Sequence, residues 1–175
     1  ITTNQLASKV RSQGAQTIRI HPHEQAEELA AIAWVDAAAE NRPDGRSTKG
    51  VLIGMCPGEI LNGSEEDVSM VYWKSAKIDR MCRSSYSAEA RTAVDGEDEL
   101  YHIRYQWSEL LGNIPDIRNP DEHVKIIKGA VVSDSKGFYD KRQATVLTPK
   151  GKEKRVDIEI IAFKEALKTS SVTLR

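Results

Sequence analysis

The sequence reads Leu29-Ala-Ala-Ile-Ala-Trp-Val-Asp36 where its first apolar run ends at a carboxylate. A compact run of this kind predicts a buried β-strand from Leu29 to Val35. Asp36 shares the parity of Trp34 and Ile32, so its side chain lies on one defined face of that strand. A carboxylate at a strand end is held rigidly and still meets solvent, although Asp also commonly ends strands because it begins turns.

Further apolar segments extend this strand into a sheet. Residues 41–45, Asn-Arg-Pro-Asp-Gly, are typical of a hairpin turn. Four more strands are predicted, at residues 51–55, 68–73, 124–133 and 172–174. Helices are expected at 135–141 and 153–168. Three strands, a helix, and then alternating strands and helices predict an α/β fold with a mixed five-stranded sheet flanked by helices.

A long helix follows the third strand. Ser84 or Ser85 can cap it, and Gly112 ends it. Its apolar stripe consists of Glu89, Ala93, Gly96, Leu100, Ile103, Trp107 and Leu110. Glu89 is the acidic member of the stripe, in the first turn and facing the sheet. A desolvated carboxylate needs a hydrogen-bonding partner or a metal. Taken alone, the position of Glu89 is explained at least as well by a partly solvated side chain that the helix dipole favours.

The bulk properties describe one ordinary globular domain. The chain has 175 residues, which suffices for one core. Its net charge of −1 gives no general attraction for nucleic acid, so any polyanion contact has to be a local patch. Cys56 and Cys82 lack metal-ligand spacing, which predicts a chain with reduced cysteines inside the cell. We therefore expect the protein to be cytoplasmic or nuclear and not secreted. The longest apolar stretch contains Asp36 and is too short to cross a membrane. The chain starts at Ile1 without a signal peptide, and we expect it to be a fragment of a longer protein.

Four separated segments occur in an order that is more informative than any one of them. They are Ala33-Trp-Val-Asp36 with Arg46-Ser-Thr-Lys-Gly50, Ser84-Ser-Tyr-Ser-Ala-Glu89, Val131-Val-Ser-Asp134, and Lys154-Arg-Val-Asp-Ile158. In this order they resemble the ribonuclease H domain of copia-type retrotransposon polyproteins. The resemblance implies a ribonuclease H-like domain at residues 29–175, with a polar lead-in at residues 1–28 that connects it to an upstream reverse transcriptase.

By that resemblance, Asp36, Glu89 and Asp134 are catalytic carboxylates and the ligands of two Mg²⁺ ions, for which Mn²⁺ can substitute. Oxygen ligands suit these hard cations. The family has a fourth acid on a final helix, and we expect that helix to lie beyond Arg175. Asp157 is the nearest acid within the chain. Its position, about 100° around its helix from the apolar stripe, predicts a solvated structural side chain, with a catalytic role as the alternative.

The same resemblance assigns nucleic-acid contacts to Trp73, Lys74, Lys77 and Ser135. It implies endonucleolytic hydrolysis of the RNA strand of RNA/DNA hybrids, leaving 3′-hydroxyl and 5′-phosphate ends. The alternative is a solvated, charged edge strand and loop. That alternative is the favoured explanation of a second basic cluster, formed by Lys150, Lys152, Lys154 and Arg155. Two other functions stay open: a degenerate, inactive domain with a structural or nucleic-acid-binding role, and another polynucleotidyl transferase of the same fold, such as an integrase core.

Overall fold

The computed structural model describes residues 12, 17–23, 28–143 and 154–175. Within these residues, five strands form one sheet in the order β3-β2-β1-β4-β5. The strands are β1 (Leu29–Ala38), β2 (Thr48–Pro57), β3 (Ser69–Lys77), β4 (Lys128–Ser133) and β5 (Val172–Leu174). β2 pairs antiparallel with both β1 and β3, whereas β4 lies parallel to β1 and β5 parallel to β4. The prediction of a mixed five-stranded sheet is confirmed.

The helices are α1 (Ser85–Leu110), α2 (Pro120–Val124), α3 (Lys136–Gln143) and α4 (Lys154–Thr169), with a 3-10 helix at Gly58–Asn62. α1 begins where Ser84 Oγ accepts a hydrogen bond from the amide of Ser87 (3.1 Å), which satisfies an amide that has no partner within the helix. It ends shortly before Gly112, whose φ of +88° lies in the left-handed region. Across the described ranges, no helix has both the length and the apolar character needed to cross a membrane.

The main core lies between the sheet and the helices α1 and α4. Alternate residues of β1 and β2 point to this side, because side chains alternate between the two faces of a strand. Gly96 lets α1 approach β1 closely, since an added Cβ at this position would overlap Val35 Cγ1. The buried apolar residues of this core include Ala33, Val51, Ile53, Leu100, Val131, Phe138, Ile160, Phe163 and Leu167.

The opposite face of the sheet carries a smaller core. Its buried residues are Ala30, Ile32, Cys56 and Ala130, and the side chains packed on them include Ile60, Leu61 and Val68. Trp34 lies on this face and is half-buried, whereas Leu52 and Trp73 are 41% and 62% exposed. Within the described residues, the part of this face around Leu52 and Trp73 is therefore open to solvent.

Two predictions about the elements were wrong. β4 begins at Lys128 rather than at residue 124, because Pro120 starts the short helix α2, where its missing amide hydrogen costs nothing. Leu110, placed on the apolar stripe of α1, is 75% exposed. The buried side of the helix continues instead through Arg104 and Ser108, in steps of four residues from Leu100.

The predicted polar lead-in, residues 1–28, falls largely outside the described ranges. Its described part contacts the edge of the sheet. The amide of His21 donates a hydrogen bond to Ser69 Oγ (2.8 Å), and its Nδ1 lies 3.1 Å from an oxygen of Asp67. His23 Nε2 lies 3.3 Å from the carbonyl oxygen of Met55. The boundary between lead-in and domain at residue 29 stays a prediction.

Candidate active site

Three carboxylates meet at one edge of the sheet. Asp36 lies near the end of β1, Asp134 directly follows β4, and Glu89 begins the second turn of α1. One ligand oxygen from each lies within 4.8 Å of those of the other two. The parallel pairing of β1 with β4, in which Val35 is opposite Ser133, brings the ends of both strands to this edge. The structure thus brings together the three acids that the resemblance assigns to a metal centre.

Glu89 owes its position to the close packing of α1 against β1. The small residues Ala88, Ala90 and Ala93 are fully buried, which lets this part of the helix lie against the sheet. Glu89 is only 8% exposed, and its carboxylate accepts a hydrogen bond from the backbone amide of Ala37. Its predicted position on the sheet-facing side is confirmed, although it begins the second helical turn and not the first.

The environment of Glu89 disfavours its charged form. Burial is the main cause that raises its pKa, the charges of Asp36 and Asp134 raise it further, and the hydrogen bond from Ala37 acts in the opposite direction. The resulting pKa of Glu89 is about 7. Its Oε2 atom is buried and has no hydrogen-bond partner among the residues that the structure describes. A buried carboxylate oxygen of this kind, beside two further carboxylates, is typical of a site where a cation neutralises the charge.

The donor set of this cluster distinguishes between classes of metal. In the described part of the chain, the cluster consists of three carboxylates and includes neither His nor Cys. Mg²⁺ and Mn²⁺ prefer such oxygen ligands, whereas zinc sites usually include His or Cys. The donor set and the unpartnered Glu89 oxygen therefore both fit a hard divalent cation.

Known structures give an independent comparison. LC11-RNase H1, isolated from compost by a metagenomic approach, is similar to this chain with a TM-score of 0.51 and 16% sequence identity, over 83% of this chain and 82% of that one. LC11-RNase H1 in complex with RNA/DNA hybrid is similar with a TM-score of 0.50 and 15% identity, over 83% of each chain. The chain has the ribonuclease H-like fold. No protein-family model matches the sequence, and no curated protein matches it significantly.

In this ribonuclease H-like domain, Asp157 is the predicted site acid that the structure does not bring into the cluster. It is absent from the carboxylate cluster found among the described residues. The expectation of a solvated side chain is wrong, because Asp157 is 3% exposed in the first turn of α4. Val156 and Asp157 are both buried, so the buried side of α4 at its start extends beyond the residues that are apolar. An acid at this end of a helix is favoured by the helix dipole.

Three of the predicted nucleic-acid contacts lie on the edge strand β3, but on two different faces. Trp73 is 62% exposed on the open face of the sheet. Lys77 shares this face by strand alternation, and its Nζ lies 3.8 Å from Asp44. Lys74 points to the other face, where its Nζ donates to Glu99 Oε1 at 2.8 Å. Trp73 and Lys77 therefore belong to one surface, and Lys74 is held by an ion pair with α1.

Ser135 is the predicted contact next to the acids. It follows Asp134 and is half-buried, and its amide donates a hydrogen bond to Ser133 Oγ at 3.2 Å. The helix that follows is anchored by Phe138, which is fully buried against Phe163 with ring centroids 5.3 Å apart. The backbone that carries Asp134 is thus fixed on both sides.

Sequence reasoning missed a network of ion pairs beside the cluster. Lys49 of β2 pairs with Asp95 of α1, and both side chains are largely buried. Arg91 lies 3.2 Å from Asp95 and 3.5 Å from Glu159 of α4, which also pairs with Arg80 at 2.7 Å. The spacing of Arg91 and Asp95, four residues apart on one helix, was a signal that could have revealed part of it. The network holds β2, α1 and α4 together.

Arg104 is a second buried group that the apolar stripe did not reveal. It is fully buried, and it donates to the carbonyl oxygens of Ile127 (2.7 Å) and Ser170 (2.9 Å). Burial lowers the pKa of Arg104 to about 10, against the opposing effect of Glu97. Arg104 therefore joins α1 to the start of β4 and to the turn between α4 and β5. These two strands, β4 and β5, complete the sheet.

Proposed function

We propose that this chain is a metal-dependent endonuclease that hydrolyses the RNA strand of RNA/DNA hybrids. Fold alone does not determine activity, so the proposal depends on the acid cluster. The observation that carries it is the buried Glu89 beside Asp36 and Asp134, with one oxygen lacking a partner among the described residues. The similarity to LC11-RNase H1 supports it, since one of those structures contains an RNA/DNA hybrid.

Asp36, Glu89 and Asp134 are the proposed ligands of Mg²⁺, with Mn²⁺ as a substitute. Cations bound there, two in the proposed enzyme, would activate water and neutralise the charge that develops on a phosphodiester. Without them the three carboxylates repel one another, and Glu89 keeps its proton up to a pH of about 7. A bound cation would favour the ionised form of Glu89, so the affinity for Mg²⁺ should rise as the pH rises through about 7.

The side chains of the three acids differ in exposure, and the proposal gives them different roles. Asp36 and Asp134 are exposed, and in this proposal they are the carboxylates that contact the phosphodiester. Glu89 is buried and is fixed by α1 and by the amide of Ala37. Asp36 and Glu89 belong to elements that the core holds in place, and Asp134 directly follows such an element, so the carboxylates need little reorganisation to bind their ligand. Such preorganisation is a main source of catalytic power.

Hybrid recognition, in this proposal, uses Trp73 and Lys77 on the open sheet face and Ser135 beside Asp134. Lys74 contributes only when its ion pair with Glu99 opens. Contacts of this kind to phosphate and sugar position a duplex, and the RNA strand is distinguished by its 2′-hydroxyls and by the shape of the hybrid. With a net charge of −1 on the whole chain, this local patch has to supply the attraction.

We further propose that the chain belongs to a copia-type retrotransposon polyprotein and acts beside an upstream reverse transcriptase, in a cytoplasmic particle or in the nucleus. The support for this context is the order of the four sequence segments, from Asp36 through Glu89 and Asp134 to Asp157. A pull-down of this chain with the reverse transcriptase domain of the same polyprotein would test the association.

The first experiment measures Mg²⁺ binding by titration calorimetry at pH 8 and cleavage of a hybrid with a labelled RNA strand. Asp134→Asn removes one carboxylate of the cluster. Asp140→Asn, an exposed acid on α3, is the matched control. We expect the wild type and Asp140→Asn to bind Mg²⁺ and cut the RNA strand, and Asp134→Asn to lose both properties.

Other outcomes would point to the two alternative functions. Equal Mg²⁺ binding by Asp134→Asn and Asp140→Asn would refute the metal centre. Hybrid binding without cleavage in either cation would favour an inactive nucleic-acid-binding module. Cleavage or strand transfer on duplex DNA, with the hybrid untouched, would favour another polynucleotidyl transferase.

A further inference from the structure

Of the three clustered acids, Asp134 lies outside the helices and strands. Asp36 belongs to β1 and Glu89 to α1, whereas Asp134 stands between the end of β4 and the start of α3. Its side chain is exposed. The hydrogen bonds of a strand or a helix fix the backbone of the other two acids. The position of Asp134 depends instead on bonds within the turn that carries it.

The sheet brings Asp134 close to two like charges. Val35 of β1 is opposite Ser133 of β4, so Asp36 and Asp134 are the next residues along two neighbouring segments. Ligand oxygens of Asp36, Glu89 and Asp134 lie within 4.8 Å of one another. Ionised carboxylates at this distance repel one another when no cation is bound. An exposed side chain in a turn can relieve this repulsion by moving into solvent, unless the turn holds it in place.

Three hydrogen bonds among the described residues fix the backbone around Asp134. The amide of Ser133 donates to the carbonyl oxygen of Arg175 at 3.1 Å, and the amide of Tyr139 donates to that of Ser135 at 3.0 Å. These two bonds join the turn to the end of β5 and to the first turn of α3. The third bond spans Asp134 itself, because the amide of Ser135 donates to Ser133 Oγ at 3.2 Å. Of the three, this is the bond that depends on the residue type at position 133.

The Ser133 hydroxyl is well placed to restrain the turn. A hydroxyl that accepts from the amide two residues later closes the backbone around the residue between them, which here is Asp134. Ser133 shares its strand parity with Val131 of the main core, so its side chain lies on the sheet face that α1 covers. It is half-buried, which partly shields the bond from water. The bond therefore forms on the side of the sheet from which Glu89 approaches.

We propose that Ser133 is a positioning residue that holds Asp134 at the cluster through the amide of Ser135. Metal ligation by Asp134 rests on the proposed function, whereas the restraint on the turn does not. Mg²⁺ requires near-ideal ligand geometry. The apparent affinity of a site falls with the fraction of molecules in the binding-competent arrangement. Loss of the Ser133 hydroxyl should therefore weaken Mg²⁺ binding through the geometry of the turn.

The test compares three variants of the whole chain with the wild type. Ser133→Ala removes the acceptor, and Ser133→Thr retains it. Ser69→Ala is the matched control, because Ser69 Oγ also accepts a hydrogen bond from a backbone amide, that of His21 at 2.8 Å. Ser69 lies at the start of β3, at the opposite end of the strands from the acids. Circular dichroism confirms that each variant is folded, and urea unfolding measures its stability.

Two measurements separate the turn from the cation. Hydrogen exchange of the Ser135 amide, followed by NMR in EDTA, reports the bond without metal. Titration calorimetry at pH 8 reports the affinity for Mg²⁺. For Ser133→Ala we expect about fivefold faster exchange of this amide and a Kd for Mg²⁺ about fivefold higher, the effect of one neutral hydrogen bond. Ser133→Thr and Ser69→Ala should match the wild type in both measurements, even where Ser69→Ala unfolds at lower urea.

Four results would overturn the positioning role. They are unchanged exchange of the Ser135 amide in Ser133→Ala, wild-type Mg²⁺ affinity in that variant, failure of Ser133→Thr to restore the affinity, and an equal loss of affinity in Ser69→Ala. The last result would mean that Mg²⁺ binding follows the stability of the fold and not the geometry of one turn.

Failure of this inference and failure of the proposed function are distinguishable. If Asp134→Asn abolishes Mg²⁺ binding but Ser133→Ala binds as tightly as the wild type, the metal centre stands without the positioning role. If Ser133→Ala weakens Mg²⁺ binding as expected but the wild type cuts no hybrid, the positioning role stands without the endonuclease. A wild type that binds no Mg²⁺ overturns both.

Discussion

Replacing Glu89 by Gln should stabilise the folded chain at alkaline pH. The pKa of Glu89 is about 7 in the fold, against an ordinary value of 4.5. Well below pH 4.5 the carboxyl group is protonated in both the folded and the unfolded chain, and the two states respond alike to pH. Between the two values the unfolded chain ionises first. The free energy of unfolding therefore falls as the pH rises and levels off above about 7.

The magnitude follows from the difference between these two values. About 7 minus 4.5 gives about 2.5 pH units, and each unit corresponds to about 1.4 kcal/mol. In the absence of divalent cations, ionised Glu89 thus lowers the free energy of unfolding by about 3 kcal/mol at pH 8. Gln has the same shape without the charge, and its amide group can donate a hydrogen bond to Asp36 or Asp134. We expect Glu89→Gln to match the wild type near pH 4 and to exceed it by up to about 3 kcal/mol at pH 8.

Urea unfolding in EDTA, followed by circular dichroism from pH 4 to pH 9, measures this difference. Glu109→Gln, an exposed site on the same helix, is the matched control and should follow the wild type. Burial also raises the pKa values of Glu97 and Asp98, but both residues are present in all three proteins and cancel in the comparison. A difference that does not change with pH, or a variant that is less stable than the wild type at pH 8, would contradict a destabilising, buried Glu89 carboxylate.

Adding Mg²⁺ at pH 8 should remove most of the difference in stability between the two proteins. A ligand at a hundred times its Kd stabilises the folded state by about 2.7 kcal/mol. The wild type should gain this amount, whereas Glu89→Gln, with one proposed ligand neutralised, should gain much less. Equal gains in both proteins would mean that Glu89 is not a ligand.

Three further experiments, two with variants and one with chemical labelling, test the packing of the fold. Gly96→Ala should destabilise the fold by about 1–3 kcal/mol or more, because its Cβ overlaps Val35, and thermal unfolding measures the loss; an unchanged Tm would mean that α1 can move away from β1. Arg104→Met should cost about 2 kcal/mol or more in urea unfolding, because two buried carbonyl oxygens lose their donor; a neutral result would show that its desolvation offsets those bonds. Burial raises the pKa of Cys56 to about 11 and also raises that of Cys82, so iodoacetamide should label neither thiol at pH 8 unless urea is present, and labelling of the native chain in mass spectra would contradict their burial.

Much of the sheet could be predicted because its signals are local. The apolar run that ends at Asp36 predicted both the strand β1 and the face of that strand on which the Asp36 side chain lies. Ser84 and Gly112 indicated the two ends of α1. The start of β4 was missed, because a proline at the first position of a helix and a proline in a loop look alike in sequence. Leu110 was misplaced because an apolar pattern does not reveal where the covering elements end.

The candidate site was only partly accessible to sequence reasoning. Asp36, Glu89 and Asp134 are far apart in the chain, and only the resemblance grouped them before the fold was known. The raised pKa of Glu89 and its unpartnered oxygen depend on the packing of neighbouring elements, which no spacing reveals. The burial of Arg104 depends in the same way on carbonyl groups from distant segments. The catalytic and nucleic-acid-binding roles of the named residues stay predictions.

The parallel pairing of β1 with β4 also determines the order in which the chain can fold. Short connections join β1 to β2 and β2 to β3, whereas Ala30 meets Lys128 only after the intervening chain has closed into a long loop. Closing such a loop costs entropy before its contacts form, which slows folding. We therefore expect Asp36 and Glu89 to come together early and Asp134 to join them in a late step. A nascent chain would then acquire its third carboxylate only once more than three-quarters of these 175 residues have been synthesised.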